Sequence, residues 1–194
     1  MNVVIIQYNA GNTQSVSFAL QRLGITPVIS DNPATIQAAD KVIFPGVGEA
    51  STAMNYLQER NLDKVITALQ QPVLGICLGM QLLCNYSEEN NTDCLGIIPI
   101  NVKKFISTTE KVPQVGWNTI YNLQQPLFTG VSEQSFIYNV HSYYAEHSDY
   151  TIATGNYVHE YAAAIRNKNF FGVQFHAEKS AVVGERILDN FLKL

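Results

Sequence analysis

The residue with the most chemistry to offer is a cysteine. It lies in Gly75-Ile76-Cys77-Leu78-Gly79. The short apolar run Val73 to Ile76 predicts a buried strand into this pentapeptide, and a helix should leave it, through Cys84 or Asn85. Strand, sharp turn, helix is the context of a nucleophile elbow, G-x-S-x-G, here with sulfur in place of the hydroxyl. The turn is tight, so a side chain at either flanking glycine would clash. Free N–H groups and the positive dipole end at the start of a helix favour a thiolate, the reactive form of the residue. A free cysteine is often no more than buried packing; the paired glycines at a strand–helix junction favour the nucleophile.

A thiolate that attacks a carbonyl needs a group to protonate what leaves. The stretch Gly172-Val173-Gln174-Phe175-His176-Ala177-Glu178-Lys179-Ser180 supplies one. Read as extended chain, it puts His176 and Glu178 on the same side, two residues apart. A carboxylate beside an imidazole fixes its tautomer and stabilises the imidazolium. The developing oxyanion needs donors. The N–H of Leu78, just after the sulfur, is one candidate. Pro45-Gly46-Val47-Gly48 ends a neighbouring predicted strand, where open parallel sheets bind ligands, and the amides around Val47 are the second.

Other reactive residues read as ordinary. Cys84 falls on the following helix as core, and Cys94 sits at a loop end. Three cysteines do not make a disulfide framework, and with the four histidines (His141, His147, His159, His176) they match no zinc spacing. No metal and no cofactor is expected. His141 is read as near the substrate and structural. Trp117, the only tryptophan, suits either a core or the centre of an interface.

These groups need a scaffold. The chain has 194 residues, enough for one large domain, and residues 1–194 are read as a single one. Hydrophobic residues make up 46% and charged residues 14%, with a net charge of −4. That argues against disorder, and the lack of any basic block argues against nucleic acid. No apolar run is long enough to cross a membrane. MNVVIIQYNAG has neither a basic leader nor a cleavage site, so a cytoplasmic location with free thiols is expected.

Strands are predicted at Val3 to Ile6, Thr26 to Ile29, Lys41 to Phe44 and Val73 to Ile76. Between them come helices over Gln14 to Leu23, capped by Thr13, and over Glu49 to Gln71 with a break near Asn61. This alternation predicts an α/β fold with a central, mostly parallel sheet flanked by helices. From residue 97 the runs shorten: Ile97–Val102, Val115–Tyr121, Phe136–Val140, Thr151–Thr154, Ala162–Ile165 and Phe170–Phe175. They predict an additional antiparallel or mixed sheet in the second half. Ala181 to Leu192 closes the chain as an amphipathic helix.

PGVG at 45–48, GICLGMQ at 75–81 and GVQFHAEKS at 172–180 together resemble the class I, triad glutamine amidotransferases, whose fold is flavodoxin-like. PQVGWN at 113–118 and NVHSYY at 139–144 are similar to one branch of that class, the glutaminase subunits of imidazole glycerol phosphate synthases in histidine biosynthesis. The resemblance implies Cys77 as nucleophile, His176 as acid and base, and Glu178 as its orienting carboxylate. It implies an oxyanion strand at Gly46, Val47 and Gly48, with Leu78 as the other donor, and glutamine contacts from Gln81 and the Ser142-Tyr143 backbone. It implies a heterodimer with a (β/α)8-barrel cyclase, met through Asn12, Trp117, Asn118, Tyr138 and Lys179. The cyclase uses the ammonia to make imidazole glycerol phosphate and AICAR. One departure is visible: Ala177 stands where the family usually has proline, which costs the turn some rigidity. Two other readings share the triad: an amidotransferase component of an anthranilate or aminodeoxychorismate type of synthase, and a stand-alone cysteine hydrolase.

Overall fold

A computed structural model describes residues 1–194. Four parallel strands form its first half: β1 (Val3–Ile6), β2 (Val28–Ser30), β3 (Lys41–Phe44) and β4 (Val73–Ile76), in the order β2-β1-β3-β4. Their apolar residues are consecutive because both faces are covered. Val4 and Ile6 pack into one core layer, while Val3 and Ile5 pack into the layer on the opposite face. The second strand begins two residues later than predicted, because Pro27 has no N–H to give a ladder.

The helices are α1 (Thr13–Arg22), α2 (Pro33–Gln37), α3 (Ala50–Glu59), α4 (Leu62–Thr67), α5 (Leu78–Leu82) and α6 (Ala181–Leu192). The predicted break near Asn61 is real: Asn61 takes a left-handed conformation, φ 55°, between α3 and α4. α2 was not foreseen in the sequence. α5 stops at Leu82, short of the predicted end, where Leu83 and Cys84 donate to the carbonyls three residues back. Thr13 is the first residue of α1 and not its cap. Asn12 holds the cap position, but its side chain makes no capping bond because it is engaged elsewhere.

The second half, antiparallel but for one short parallel pair at residues 86–87 and 101–102, runs on without interruption from the parallel half. Its strands are β5 (Tyr86–Ser87), β6 (Thr92–Asp93), β7 (Asn101–Lys104), β8 (Gln114–Tyr121), β9 (Ser135–His141), β10 (Tyr143–Ala145), β11 (Thr151–Tyr157), β12 (His159–Asn167) and β13 (Phe170–Val173). β13 is the seam: it pairs parallel with β4 and antiparallel with β12, giving one 13-stranded sheet. β7 starts only at Asn101 because Pro99 interrupts the predicted run. β13 ends at Val173, two residues early. There the chain leaves the ladder, and His176 N–H donates to the Tyr138 carbonyl of β9. α6 follows its predicted bounds and buries Ile187, Leu188 and Phe191 completely. Each such side chain contributes about 1.5–3 kcal/mol.

Candidate active site

Three loops meet at the carboxyl edge of the sheet because their strands are neighbours. Phe44 of β3 is in register with Gly75 of β4, and Ile76 of β4 with Val173 of β13. Residues 45–48, 77–79 and 174–178 therefore converge.

Cys77 sits at φ 54°, ψ −112°, a conformation that costs an ordinary residue on the order of 1–3 kcal/mol and persists only where its surroundings fix it. The flanking glycines explain how. A Cβ on Gly79 would lie 1.9 Å from the Phe44 carbonyl oxygen, and one on Gly75 would lie 2.8 Å from the Gly79 backbone. Strand and helix touch backbone to backbone, and the bend follows.

His176 and Glu178 do meet, by a different route from the extended-chain reading. Glu178 belongs to a 3-10 turn, Ala177–Lys179, which curls back on the imidazole and forms with alanine in the family's proline position. His176 Nδ1 is 2.8 Å from Glu178 Oε1. Asn12 Nδ2 donates to the same oxygen at 3.2 Å. Both triad side chains are buried. Burial opposes charge on His176. Its hydrogen bonds to Cys77 and Glu178, and the negative charges of both, outweigh that and raise its pKa to about 10. With Nδ1 on the carboxylate, Nε2 is the nitrogen left for the sulfur. Ser180 completes the mounting: its hydroxyl donates to the His176 carbonyl at 2.7 Å and accepts from Tyr138 N–H at 3.0 Å.

A cleft of about 280 Å³ lies beside these groups. Cys77, His176, Val47, Gly48, Leu78, Gln81, Ser142 and Tyr143 all line it, so the predicted nucleophile, base and substrate contacts share one space. Gly46 lies buried just behind it.

The two amides predicted to bind the oxyanion are both occupied. The Gly46 carbonyl accepts Leu78 N–H at 3.3 Å, and Val47 N–H donates to the Ala10 carbonyl at 2.5 Å. One peptide plane, Gly46–Val47, thus blocks one donor and turns the other away. Rotating that single plane would release Leu78 N–H from the Gly46 carbonyl and Val47 N–H from the Ala10 carbonyl together.

The residues predicted to meet a partner divide. Trp117 is exposed on β8, edge-on to Tyr138 of β9 with ring centroids 5.8 Å apart, and Lys179 is exposed beside the triad turn. Val115, Phe136 and Val140 extend the same exposed apolar face. Asn118 lies on the other side of β8, where Nδ2 donates to the Asn156 carbonyl. Strand alternation forbids Trp117 and Asn118 from presenting their side chains to one surface. Asn12 reaches inward to Glu178.

Sequence reasoning missed Gln174 and Glu89. Gln174 is fully buried near Cys77; the signal was a lone amide inside an apolar run. Glu89 lines the cleft from a loop that reads only as polar.

His141 also lines the cleft, buried. Its Nδ1 donates to the Tyr143 carbonyl at 2.8 Å, so Nε2 carries a lone pair, and that atom has no partner. Burial, aided by the charge of His176 and against the Tyr143 bond, lowers its pKa to about 4. The unfolded chain takes up this proton near pH 6.5, the folded chain only near 4. Stability therefore falls as pH drops through that window, by about 1.4 kcal/mol per unit, and levels off below it. Urea unfolding at pH 7 and pH 4.5 checks this: His141→Gln loses about 2–3 kcal/mol less than the parent. Equal losses would refute it.

The chain belongs to the glutamine amidotransferase class-I family, whose model matches residues 4–194. Over its whole length, and theirs, it is 53% identical to the imidazole glycerol phosphate synthase subunit HisH of Bacteroides fragilis strain YCH46 and 51% identical to that of Bacteroides thetaiotaomicron. It is 44% identical to the HisH of Shewanella sediminis, covering all of this chain and 91% of that one. Within the class it falls among the HisH subunits. Solved structures agree on the fold alone. One of a glutamine amidotransferase superposes with a TM-score of 0.76 at 16% identity, covering 99% of this chain and 98% of that one. PurLQS from Thermotoga maritima gives 0.72 at 16% identity, covering 99% and 97%.

Proposed function

We propose that Cys77, His176 and Glu178 hydrolyse glutamine, and that the ammonia passes to a (β/α)8-barrel cyclase seated on the exposed face of β8 and β9. The enzyme is a glutamine amidotransferase, the glutaminase subunit of imidazole glycerol phosphate synthase, as its full-length identity to HisH proteins supports. The single observation that carries the mechanism is the Cys77–His176–Glu178 chain at the wall of a cleft.

The Cys77 sulfur attacks the side-chain amide carbon of glutamine. The carbonyl oxygen gains charge and takes hydrogen bonds from Leu78 N–H and, after the peptide rotates, from Val47 N–H. The His176 imidazolium gives its proton to the departing nitrogen, and ammonia leaves. A water then loses a proton to His176 and attacks the thioester, releasing glutamate and the thiol. Gln81 and the Ser142-Tyr143 backbone hold the substrate. The Glu89 carboxylate, half-buried at the cleft, offsets the α-ammonium. Glu89→Gln is expected to raise KM for glutamine about tenfold with kcat little changed, the size of one charge-assisted hydrogen bond. An unchanged KM in steady-state assays would remove Glu89 from the substrate site.

Trp117, Tyr138 and Lys179 face the partner. Asn118 contributes only by bracing β8, and Asn12 by its hold on Glu178. An apolar exposed face flanking the cleft favours a partnered glutaminase over a stand-alone hydrolase. A cytoplasmic location fits a chain with three free cysteines and no helix long and apolar enough to cross a membrane. The decisive experiment mixes the chain with a barrel cyclase and follows glutamate release with and without the cyclase's nucleotide substrate. Strong activation supports the pairing. None, with turnover already fast in the free chain, moves the assignment to a hydrolase.

A further inference from the structure

We infer that Gln174 is a catalytic residue, a buried hydrogen-bond donor to the Cys77 sulfur whose orientation is dictated from the substrate side of the cleft. The inference deepens the triad reading and rests on Cys77 being the nucleophile.

The argument begins at a backbone carbonyl. The Tyr143 oxygen can only accept, and Gln81 Nε2 lies 3.0 Å from it, so that end of Gln81 is its NH2 group. The same Nε2 lies 3.0 Å from Gln174, which must therefore present its Oε1. With its oxygen committed, Gln174 can only turn its NH2 toward Cys77, and Nε2 stands 3.9 Å from Sγ. No amide in this relay is free to flip, because each polarity is set by the one before it. Gln174 and Gln81 are both buried, so neither trades these bonds for water.

A donor held this way does nothing for a neutral thiol, which already has the Val140 carbonyl within 3.8 Å as acceptor. It stabilises the sulfur when the sulfur carries negative charge, and the bond shortens as charge builds. The titratable groups that face the sulfur are His176 and Tyr8; His141 and Glu89 line the same cleft. Gln174 is the uncharged member of this set, and its contribution persists when His176 gives its proton away. The relay also ties the nucleophile to the residues that hold glutamine, Gln81 and Tyr143. It leaves the Gln81 oxygen to meet the substrate's donors.

The test is the pH dependence of Cys77 alkylation by iodoacetamide in the full chain, with the label located by peptide mass mapping. Gln174→Met keeps most of the volume and has no N–H or O–H to donate. Gln174→Leu removes the polar end. In both, the alkylation midpoint is expected to rise by about one pH unit, so that labelling below it slows about tenfold. Gln81→Met breaks the relay one link earlier without adding charge, frees the Gln174 amide to turn its oxygen to the sulfur, and raises the midpoint in the same direction. It decides the matter should neither Gln174 variant fold by circular dichroism. Unchanged midpoints in folded variants overturn the inference. Failure of the triad reading looks different: Cys77→Ser would then keep glutaminase activity, whatever the alkylation shows.

Discussion

Glutamate release disappears when Cys77 is replaced by alanine and survives when Cys84 is. For Cys77→Ala the expected loss is about 10⁴-fold or more, because no other group in the cleft can carry the acyl intermediate. Cys84 is a thiol of the same length seven residues away. It is fully buried, its sulfur turned to the Met80 carbonyl, and burial pushes its pKa well up. Cys84→Ala costs about 1 kcal/mol of stability through lost packing and nothing in chemistry. Assays of both variants with saturating partner separate the roles. Residual turnover near the parent's in Cys77→Ala would dismantle the mechanism.

The second large effect concerns the free chain. The two amides proposed to bind the oxyanion are both spent, Leu78 N–H on the Gly46 carbonyl and Val47 N–H on the Ala10 carbonyl. One such donor is worth roughly 10²–10³ in turnover. The isolated chain should therefore hydrolyse glutamine at least about 10²-fold more slowly than the partnered enzyme, with the difference in kcat and not in KM. The Val47 amide gives an independent reading. In the free chain its proton should be protected from exchange. In the partnered enzyme carrying a stalled thioester it should shift strongly, as it trades the Ala10 oxygen for the oxyanion. A free chain already running at the partnered rate contradicts this account.

Much of this site was legible because its chemistry is local. The elbow needs glycine at 75 for a reason a five-residue window contains, the 2.8 Å approach to the Gly79 backbone, whereas glycine at 79 answers to the Phe44 carbonyl of a neighbouring strand, 1.9 Å from where its Cβ would lie. The parallel strands announced themselves as unbroken apolar runs covered on both faces. What the sequence hid is set by distant partners. The side of β8 on which Asn118 falls depends on registration with β9 and β11. The 3-10 turn that delivers Glu178 reads as extended chain until its end is tied to β9. The spent state of Leu78 and Val47 depends on which way one peptide plane faces, and no residue type encodes that.

The β9 strand has a consequence for how the two subunits speak to each other. Its outer face carries Phe136 and Tyr138, while the Tyr138 backbone both receives His176 N–H and gives its own N–H to Ser180. A ligand that strains the imidazole and a protein that leans on the aromatic face press on the same few peptide groups. Thermodynamic reciprocity then runs in both directions. Any factor by which a seated partner tightened the hold on bound glutamine would return as a tighter grip on the partner; an effect confined to kcat leaves a loaded and an empty chain holding their companion equally well.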